Sequence, residues 1–461
     1  MTPVFLLTDL ALWGVLTLAA AYAWSARRAL HLRAPWQRVR QQPVAMAAAV
    51  ILLLHVGVAL LDSIHFLPAE AAGKDATREP LSLLDLAVRP LREGTETSYS
   101  APFALVAFDR ESRLQPDGSM RREFPRLVHG GAHLQDDSAR GVDILKRGAL
   151  GAAGGVLLGL LLTQLLWPGW WRARADDRAA TVAAVTLLAV GALVGALGVL
   201  ALRYHVFGTD KVGTDVLYQS LKSIRTGLLI GTLTTLITLP FALALGIAAG
   251  YWRGLVDDIV QYLYTTLASI PGVLLVAASA LLLDAAMTRH AEAFTSIVVR
   301  SDLRLLALCA ILGLTSWTGL CRLLRAEALK LRESEFVRAA EALGVRGVTI
   351  LWRHLLPNVM HIVIIATVLD FSGLVLAEAA LTYIDIGVDP GMESWGNMIN
   401  AARLELARQP AVWWSLAAAL VWMFGLVLAA NLFADAVRAA FDPRARDALA
   451  TSTTPEPNAR D

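Results

Sequence analysis

Four groups of residues have types and spacings that chemistry could use. Gly208 to Gly213, within HVFGTDKVGTDVL, has the G-x-x-x-x-G spacing of a phosphate-cradling loop. Thr214 follows where that loop needs Lys, and no strand pattern precedes it, so nucleotide binding is not expected. His129 and His133 stand four apart, a spacing that suits a metal on one helix face. Gly130-Gly131 between them argue against that helix, and no metal site is expected. Cys309 and Cys321 share one apolar stretch; on a helix they would lie about 18 Å apart, too far to bridge. They read as packing thiols. Asp370 and Glu378 stand inside another apolar run, where a carboxylate at mid-membrane costs about 2.5–3.5 kcal/mol and needs a partner, water or a role. Eight residues apart, about two turns, they are expected to face similar directions. For Asp370 a polar path through the membrane stands equal to the structural reading, an interhelical hydrogen bond or a position nearer the interface. Glu378, near the outer end of its run, fits the structural reading better. With no G-x-S-x-G, H-E-x-x-H or phosphate-loop Lys, the chain is not expected to be an enzyme.

The elements that must position these residues are long and apolar. Of 461 residues 56% are hydrophobic and 17% charged, which excludes an ordinary soluble protein. A net charge of +2 argues against a nucleic-acid partner. Nine runs reach spanning length, at 4–24, 44–66, 148–167, 180–202, 226–250, 259–283, 303–323, 360–381 and 412–433. The first lacks a basic start, so no cleavable leader is expected. Arg27, Arg28, Arg33, Arg38 and Arg40 place the first link in the cytoplasm, as do Arg172, Arg174 and Arg178 for the third and Arg438, Arg444 and Arg446 for the tail. Nine spans then put the N-terminus outside and the C-terminus inside. The polar segment 68–147 falls outside the cytoplasm. Within it, 103–108 and 120–128 are candidate strands flanking a Pro116-Asp117-Gly118 turn. Its polar composition suggests a segment that tolerates deletion better than the spans.

One polar block lies between two apolar runs: Arg325 to Met360, RAEALKLRESEFVRAAEALGVRGVTILWRHLLPNVM. Ser334 is placed to N-cap a helix with Glu335 in its first turn. Phe336, Ala340 and Leu343 recur at i, i+4 and i+7 and so share a face. Gly344 can turn left-handed and stop the helix. A second helical piece, 345–356, is expected to end at Pro357, which opens the next helix. The result is a short Ala-rich helix beside the membrane, either lying on it or docking into a partner's groove.

Ala339-Ala340, three residues, Gly344, a longer gap and Leu356-Pro357 resemble the signature loop of permeases of binding-protein-dependent ABC importers. Arg338 stands where that family has Glu, and His354 where it has an apolar residue. Gly208-Thr209-Asp210, Gly213 and Asp215-Val216-Leu217 resemble the segment preceding the transmembrane core of dipeptide and oligopeptide permeases. There the glycines would permit tight turns, and Asp210 and Asp215 would cap backbone amides at the outer surface. Ala249-Gly250-Tyr251 with Gly254 and Asp257, then Pro271, Glu378 to Leu381, Trp395 to Met398, and Asn431-Leu432 with Asp435, Arg438 and Asp442-Pro443-Arg444 follow in the family's order. Tyr262, Thr265 and Ala434 depart from it. Pro271 falls inside the sixth run, where it removes one helical hydrogen bond and is expected to bend the span. The resemblance covers about 240 residues, 205–446.

The resemblance implies an all-α polytopic membrane protein of the bacterial inner membrane. An ABC importer type I permease core of about five helices (205–446, coupling loop 325–358) would follow two N-terminal spans (1–67), an extracytoplasmic domain with candidate β strands (68–147) and two further spans (148–204). Residues 447–461 would form a disordered cytoplasmic tail. Phe336, Arg338, Ala339, Ala340, Glu341, Gly344, Leu356 and Pro357 would couple to an ATPase, Asp370 and Glu378 are candidates for the translocation path, and Gly208, Thr209, Asp210, Gly213, Asp215 and Pro271 would be structural. The implied partners are a second permease subunit, two ABC ATPase subunits, an extracytoplasmic solute-binding protein and the lipid bilayer. No cofactor would bind this chain; ATP and Mg would sit on the partner subunits. The solute would be a peptide or peptide-like. A secondary transporter and a polytopic membrane enzyme with chemistry in the outer segment are the alternatives.

Overall fold

The computed structural model of the chain describes residues 2–28, 30–67, 80–114, 120–134, 136–166, 178–290 and 297–441. Among them, nine helices are long and apolar enough to cross a membrane. Strand β1 (Thr2–Val4) leads into α1 (Leu7–Arg28), α2 (Leu30–Gln41) and α3 (Pro43–Asp62). The Arg-bearing link is itself helix α2: Trp36 and Val39 pack against Ala436, Val437 and Ala440, leaving Arg33 and Arg40 exposed. Strand β2 (His65–Leu67) pairs antiparallel with β1 and with β3 (Leu81–Ser82).

Next come short helices α4 (Leu83–Ala87) and α5 (Arg89–Glu93) and a hairpin of β4 (Glu111–Leu114) and β5 (Met120–Glu123). The expected strand over 103–108 is absent. Phe103 is left-handed at φ 57°, and Val106 makes a single bridge to Arg126. Its side chains are used for packing instead: Leu105 and Ala107 are buried, and the Phe108 ring stands 5.0 Å from that of Trp414. The returning strand does begin at Met120, but its partner is 111–114. The Pro116-Asp117-Gly118 turn lies outside the described residues.

Helix α6 (Arg140–Leu166) starts well before position 148, so the outer segment is shorter than its polarity suggested. It packs on α7 (Arg178–Ala201) through facing glycines. A Cβ at Gly155 would stand 1.9 Å from the Gly191 carbonyl, and one at Gly195 2.2 Å from that of Gly151. Small residues at four-residue spacing permit this approach in lipid, where no hydrophobic force drives helices together.

Helix α8 (Val216–Trp252) has 37 residues. At 1.5 Å per residue it is about 55 Å long, against about 30 Å of hydrocarbon, so it projects from the membrane. The sixth expected span is two elements, α9 (Leu255–Ser269) and α10 (Gly272–Arg289). Pro271 does not bend a continuous helix. It lacks the N–H the ladder needs and disfavours helical Ile270, which is extended at φ −90°, ψ 128°.

Helix α11 (Ile297–Arg332) carries both cysteines, buried and free. After it come α12 (Glu335–Ala342), α13 (Gly347–Ile350), a π-helical turn (Leu351–Leu355) and α14 (Leu356–Tyr383). The piece expected to end at Pro357 instead runs through, giving one rod over Gly347–Tyr383. The Leu356 N–H reaches back five residues to the Leu351 carbonyl. That widened turn makes room for the Pro357 ring, which would otherwise crowd the carbonyl four residues before it. Helices α15 (Trp395–Glu405) and α16 (Trp414–Phe441) complete the order.

The core forms where α8, α11, α14 and α16 meet, around Leu229, Leu305, Val375, Trp395, Trp414 and Leu426. Gly246 and Gly250 let α8 touch α11; a Cβ at Gly250 would be 2.5 Å from the Ala328 Cβ. Arg172 and Arg174, the Asp442-Pro443-Arg444 segment, Arg446 and the tail 447–461 lie outside the described residues.

Candidate functional site

Short polar α12 hangs between the ends of α8 and α11. Val337 (0% exposed) and Ala340 (7%) drop into a socket of Tyr251, Ala328, Ile350 and Leu355. Two residues three apart therefore seat the helix, and the expected common face is split. Ala340 points inward, while Phe336 (43%), Ala339 and Leu343 (83%) face out. Ser334 occupies the N-cap position but gives no side-chain cap; its hydroxyl donates to the Leu331 carbonyl instead. Glu335 still places its charge at the positive helix end.

The C-terminal end is a full Schellman arrangement. Gly344 lies at φ 75°; its N–H donates to the Glu341 carbonyl (2.9 Å), and that of Val345 to the Ala340 carbonyl (3.1 Å). A Cβ on Gly344 would meet nothing within 4 Å, so backbone conformation, not space, selects glycine here. Glu333 accepts from Arg253 (2.8 Å) and Arg338 (2.5 Å). The Phe336 ring centres 6.4 Å from that of His354. The two departures from the family loop, Arg338 and His354, thus brace α12 from either side. Leu356 is half-buried and Pro357 exposed where the rod passes behind it.

The sequence did not point to the ion pair beneath. Arg325 on α11 grips Asp257 on α9 with both forks, Nη2 to Oδ2 at 2.7 Å. Asp257 follows Gly254 and stands in the first turn of α9. Its acidity opposite an Arg-rich block was the available signal.

At the far end of α8 the Gly208–Asp215 segment holds the outer segment. Asp215 N-caps α8, accepting from the Leu217 and Tyr218 amides. Asp210 accepts from Val212 and Thr214. Buried Thr209 accepts from the Ser100 N–H at 2.7 Å, and its carbonyl receives the Trp414 indole N–H. Gly208 and Gly213 are left-handed, at φ 71° and 78°, and a Cβ on Gly213 would sit 1.9 Å from the Glu96 carbonyl. Glu96 accepts three successive amides, Val128, His129 and Gly130, at 2.8, 2.8 and 3.0 Å. His205 bridges Asp215 (Nδ1, 2.7 Å) and Glu96 (Nε2, 3.3 Å). His133 bonds Asp143 instead of standing beside His129.

Burial opposes charge on both Glu96 and His205, but their partners prevail. The His205 ring and the three amides hold the Glu96 carboxyl down at about 2, and Asp215 and Glu96 lift His205 to about 9. A lowered acid contributes stability that is present above its unfolded value of 4.5 and lost as pH falls toward 2. A raised base contributes stability that is present below 6.5 and lost as pH rises through 9. The thermal midpoint in detergent should therefore be highest between pH 4.5 and 6.5 and decline toward pH 9. His205→Gln should flatten the decline; an unchanged alkaline limb in that variant would contradict the bridge.

Asp370 and Glu378 do not face alike. Eight residues at 100° each overshoot two turns by about 80°. Glu378 is buried (1% exposed), accepts from the Thr382 hydroxyl at 3.0 Å and stands against Gly396. Asp370 is exposed on α14 and bonds no group among the described residues. Pro271, between α9 and α10, is remote from both sites in the chain.

A model of the family described as "binding-protein-dependent transport system inner membrane component" matches residues 242–447. The dipeptide transport system permease protein DppC of Lactococcus lactis is 31% identical over 243 residues, covering 53% of this chain and 65% of that protein. A putative peptide permease protein of Brucella suis is 32% identical over 52% of this chain and 74% of its own length. The glutathione transport system permease protein GsiD of Pectobacterium atrosepticum is 28% identical over 52% and 73%.

Proposed function

The chain belongs to the family of binding-protein-dependent transport system inner membrane components, and from that premise we propose that it is the membrane-spanning subunit of an ATP-driven peptide importer. The observation that carries the reading is α12: a short helix seated by two small side chains, stopped by a left-handed glycine, with Phe336, Ala339 and Leu343 turned away from their own protein. An apolar residue as exposed as Leu343 beside a membrane is suited to a partner's groove. In this proposal one ATP-binding subunit grips α12, a second grips the corresponding helix of a partner permease, and ATP with Mg binds those subunits. Their closure moves α12 and, through the Arg325–Asp257 pair and the glycine contact of α8 with α11, tilts the spans around the path. A solute-binding protein delivers cargo at the outer side. Relatives named for dipeptides, peptides and glutathione support a peptide-like solute.

The proposed topology places α12 and Arg-bearing α2 inside and the hairpin outside, in the bacterial inner membrane. It is supported by α8, whose two ends hold the outer segment and the α12 socket, and by α2, which packs on the far end of α16 from Trp414. Cys introduced at Met120 should react with an impermeant thiol reagent in intact cells, and Cys at Gln41 should not. Both native cysteines are buried and should give little background. Reversed labelling would overturn the topology. Purifying the chain from its native membrane tests the function: ATP-binding subunits should co-purify, and their absence would count against it.

A further inference from the structure

Asp370 opens a recess of about 220 Å³ between α8, α11 and α14. Four hydroxyl-bearing side chains line the recess with Asp370, namely Thr235 and Thr238 from α8, Ser316 from α11 and Thr367 one turn before it on α14, and leucines and Gly373 make up the rest of its wall. Among the described residues the buried Thr367 Oγ1 has no hydrogen-bond partner, and none bonds Asp370. Beside it Gly373 leaves the mouth open, with nothing within 4 Å of where its Cβ would be. A carboxylate and an unpaired buried hydroxyl in one membrane-embedded recess are costly unless something polar fills it. Asp370 cannot face lipid at that cost, so this face of α14 must border a polar path or another subunit. The recess is several times the volume of one water, about 30 Å³, and admits the end of a molecule rather than a bare ion alone.

We propose that the Asp370 recess is a station on the translocation path that takes the primary ammonium group of the solute. This rests on the importer reading above and assigns its specificity. An ammonium carries three donors and no acceptor. The recess supplies the matching set: a carboxylate for the charge and hydroxyl oxygens, Thr367 Oγ1 among them, for the remaining donors. Thr235 and Thr238 already donate to the Gly231 and Thr234 carbonyls, which leaves their oxygens free to accept. A solute with a blocked amine would leave the carboxylate unpaired, the situation in which binding sites discriminate most strongly.

The test uses the whole complex in proteoliposomes, with the binding protein saturated by either dialanine or N-acetyl-dialanine. The wild-type complex must first take up dialanine on ATP; failure there defeats the importer reading rather than this site. At equal amounts of assembled complex, Asp370→Asn should lower dialanine uptake at least about tenfold and bring the preference for dialanine over its acetylated form close to unity, whereas Asp370→Glu should keep both. Thr367→Val, which breaks no bond in the protein, should lower dialanine uptake about threefold or more and leave acetylated uptake unchanged, and it serves if the Asn variant does not assemble. Unaltered preference in Asp370→Asn, or equal loss for both peptides in it or in Thr367→Val, would assign Asp370 to subunit packing and overturn the proposal.

Discussion

Gly344→Val is expected to lower uptake about tenfold or more while the chain still inserts and its spans stay packed. The left-handed conformation costs an L-residue about 1–2 kcal/mol, and a β-branched one more. Because no atom crowds that position, the whole effect comes from the backbone, and Gly344→Asn, which tolerates positive φ, should retain most activity. The Schellman bonds set where α12 stops and hence where Leu343 points, so the loss should appear as weak retention of the ATP-binding subunit. Two neighbouring alanines separate docking from seating. Ala339→Arg adds bulk on the exposed face and should block docking with stability changed by less than about 0.5 kcal/mol. Ala340→Arg forces an unpaired charge into the socket, at about 3–5 kcal/mol, and should unseat α12 altogether. Equal behaviour of Gly344→Val and Gly344→Asn would refute the conformational argument.

Glu96→Ala should destabilise the purified chain by about 3–5 kcal/mol, the cost of breaking a buried, hydrogen-bonded charge cluster. Three amides lose their acceptor, and the His205 charge is left with Asp215 alone. The same logic extends to the segment as a whole. Tyr99 and Phe108 pack against Trp414, Ser100 against Thr209, and Asp85 accepts from Lys222 at 3.0 Å and from the Tyr218 hydroxyl at 2.8 Å. Removing residues 80–139 should therefore prevent assembly as thoroughly as removing a span. The thermal midpoint of Glu96→Ala decides the matter; a midpoint at the wild-type value would mean that the outer segment is only tethered.

The spans were legible because hydrophobic length is a coarse signal that tolerates errors of a few residues. The α12 stop was legible too, because Gly344 is needed for its own φ and depends on no neighbour. What remained hidden is what distant residues decide. Nothing local says that Ala340 turns inward and Ala339 outward; the socket under α12 is built from α8, α11 and the 347–383 rod. Polar composition suggested an independent outer segment, yet its few apolar residues, Tyr99, Leu105 and Phe108, are spent on the core. Pro271 announced an interruption, but whether a span bends or breaks there depends on neighbours that could re-satisfy the freed carbonyl. The Asp370 and Glu378 pair shows the limit of periodicity: an 80° offset, small on a helical wheel, separates a sealed carboxylate from one that lines a recess.

The most direct test of the central claim is to place a photo-crosslinking residue at Leu343 and at Met120, irradiate native membranes and identify what each captures. Leu343 should capture an ATP-binding subunit, with a yield that changes when ATP is added, and Met120 on the outer hairpin should not. Capture of lipid alone at Leu343, with no ATP-binding subunit, would contradict that claim.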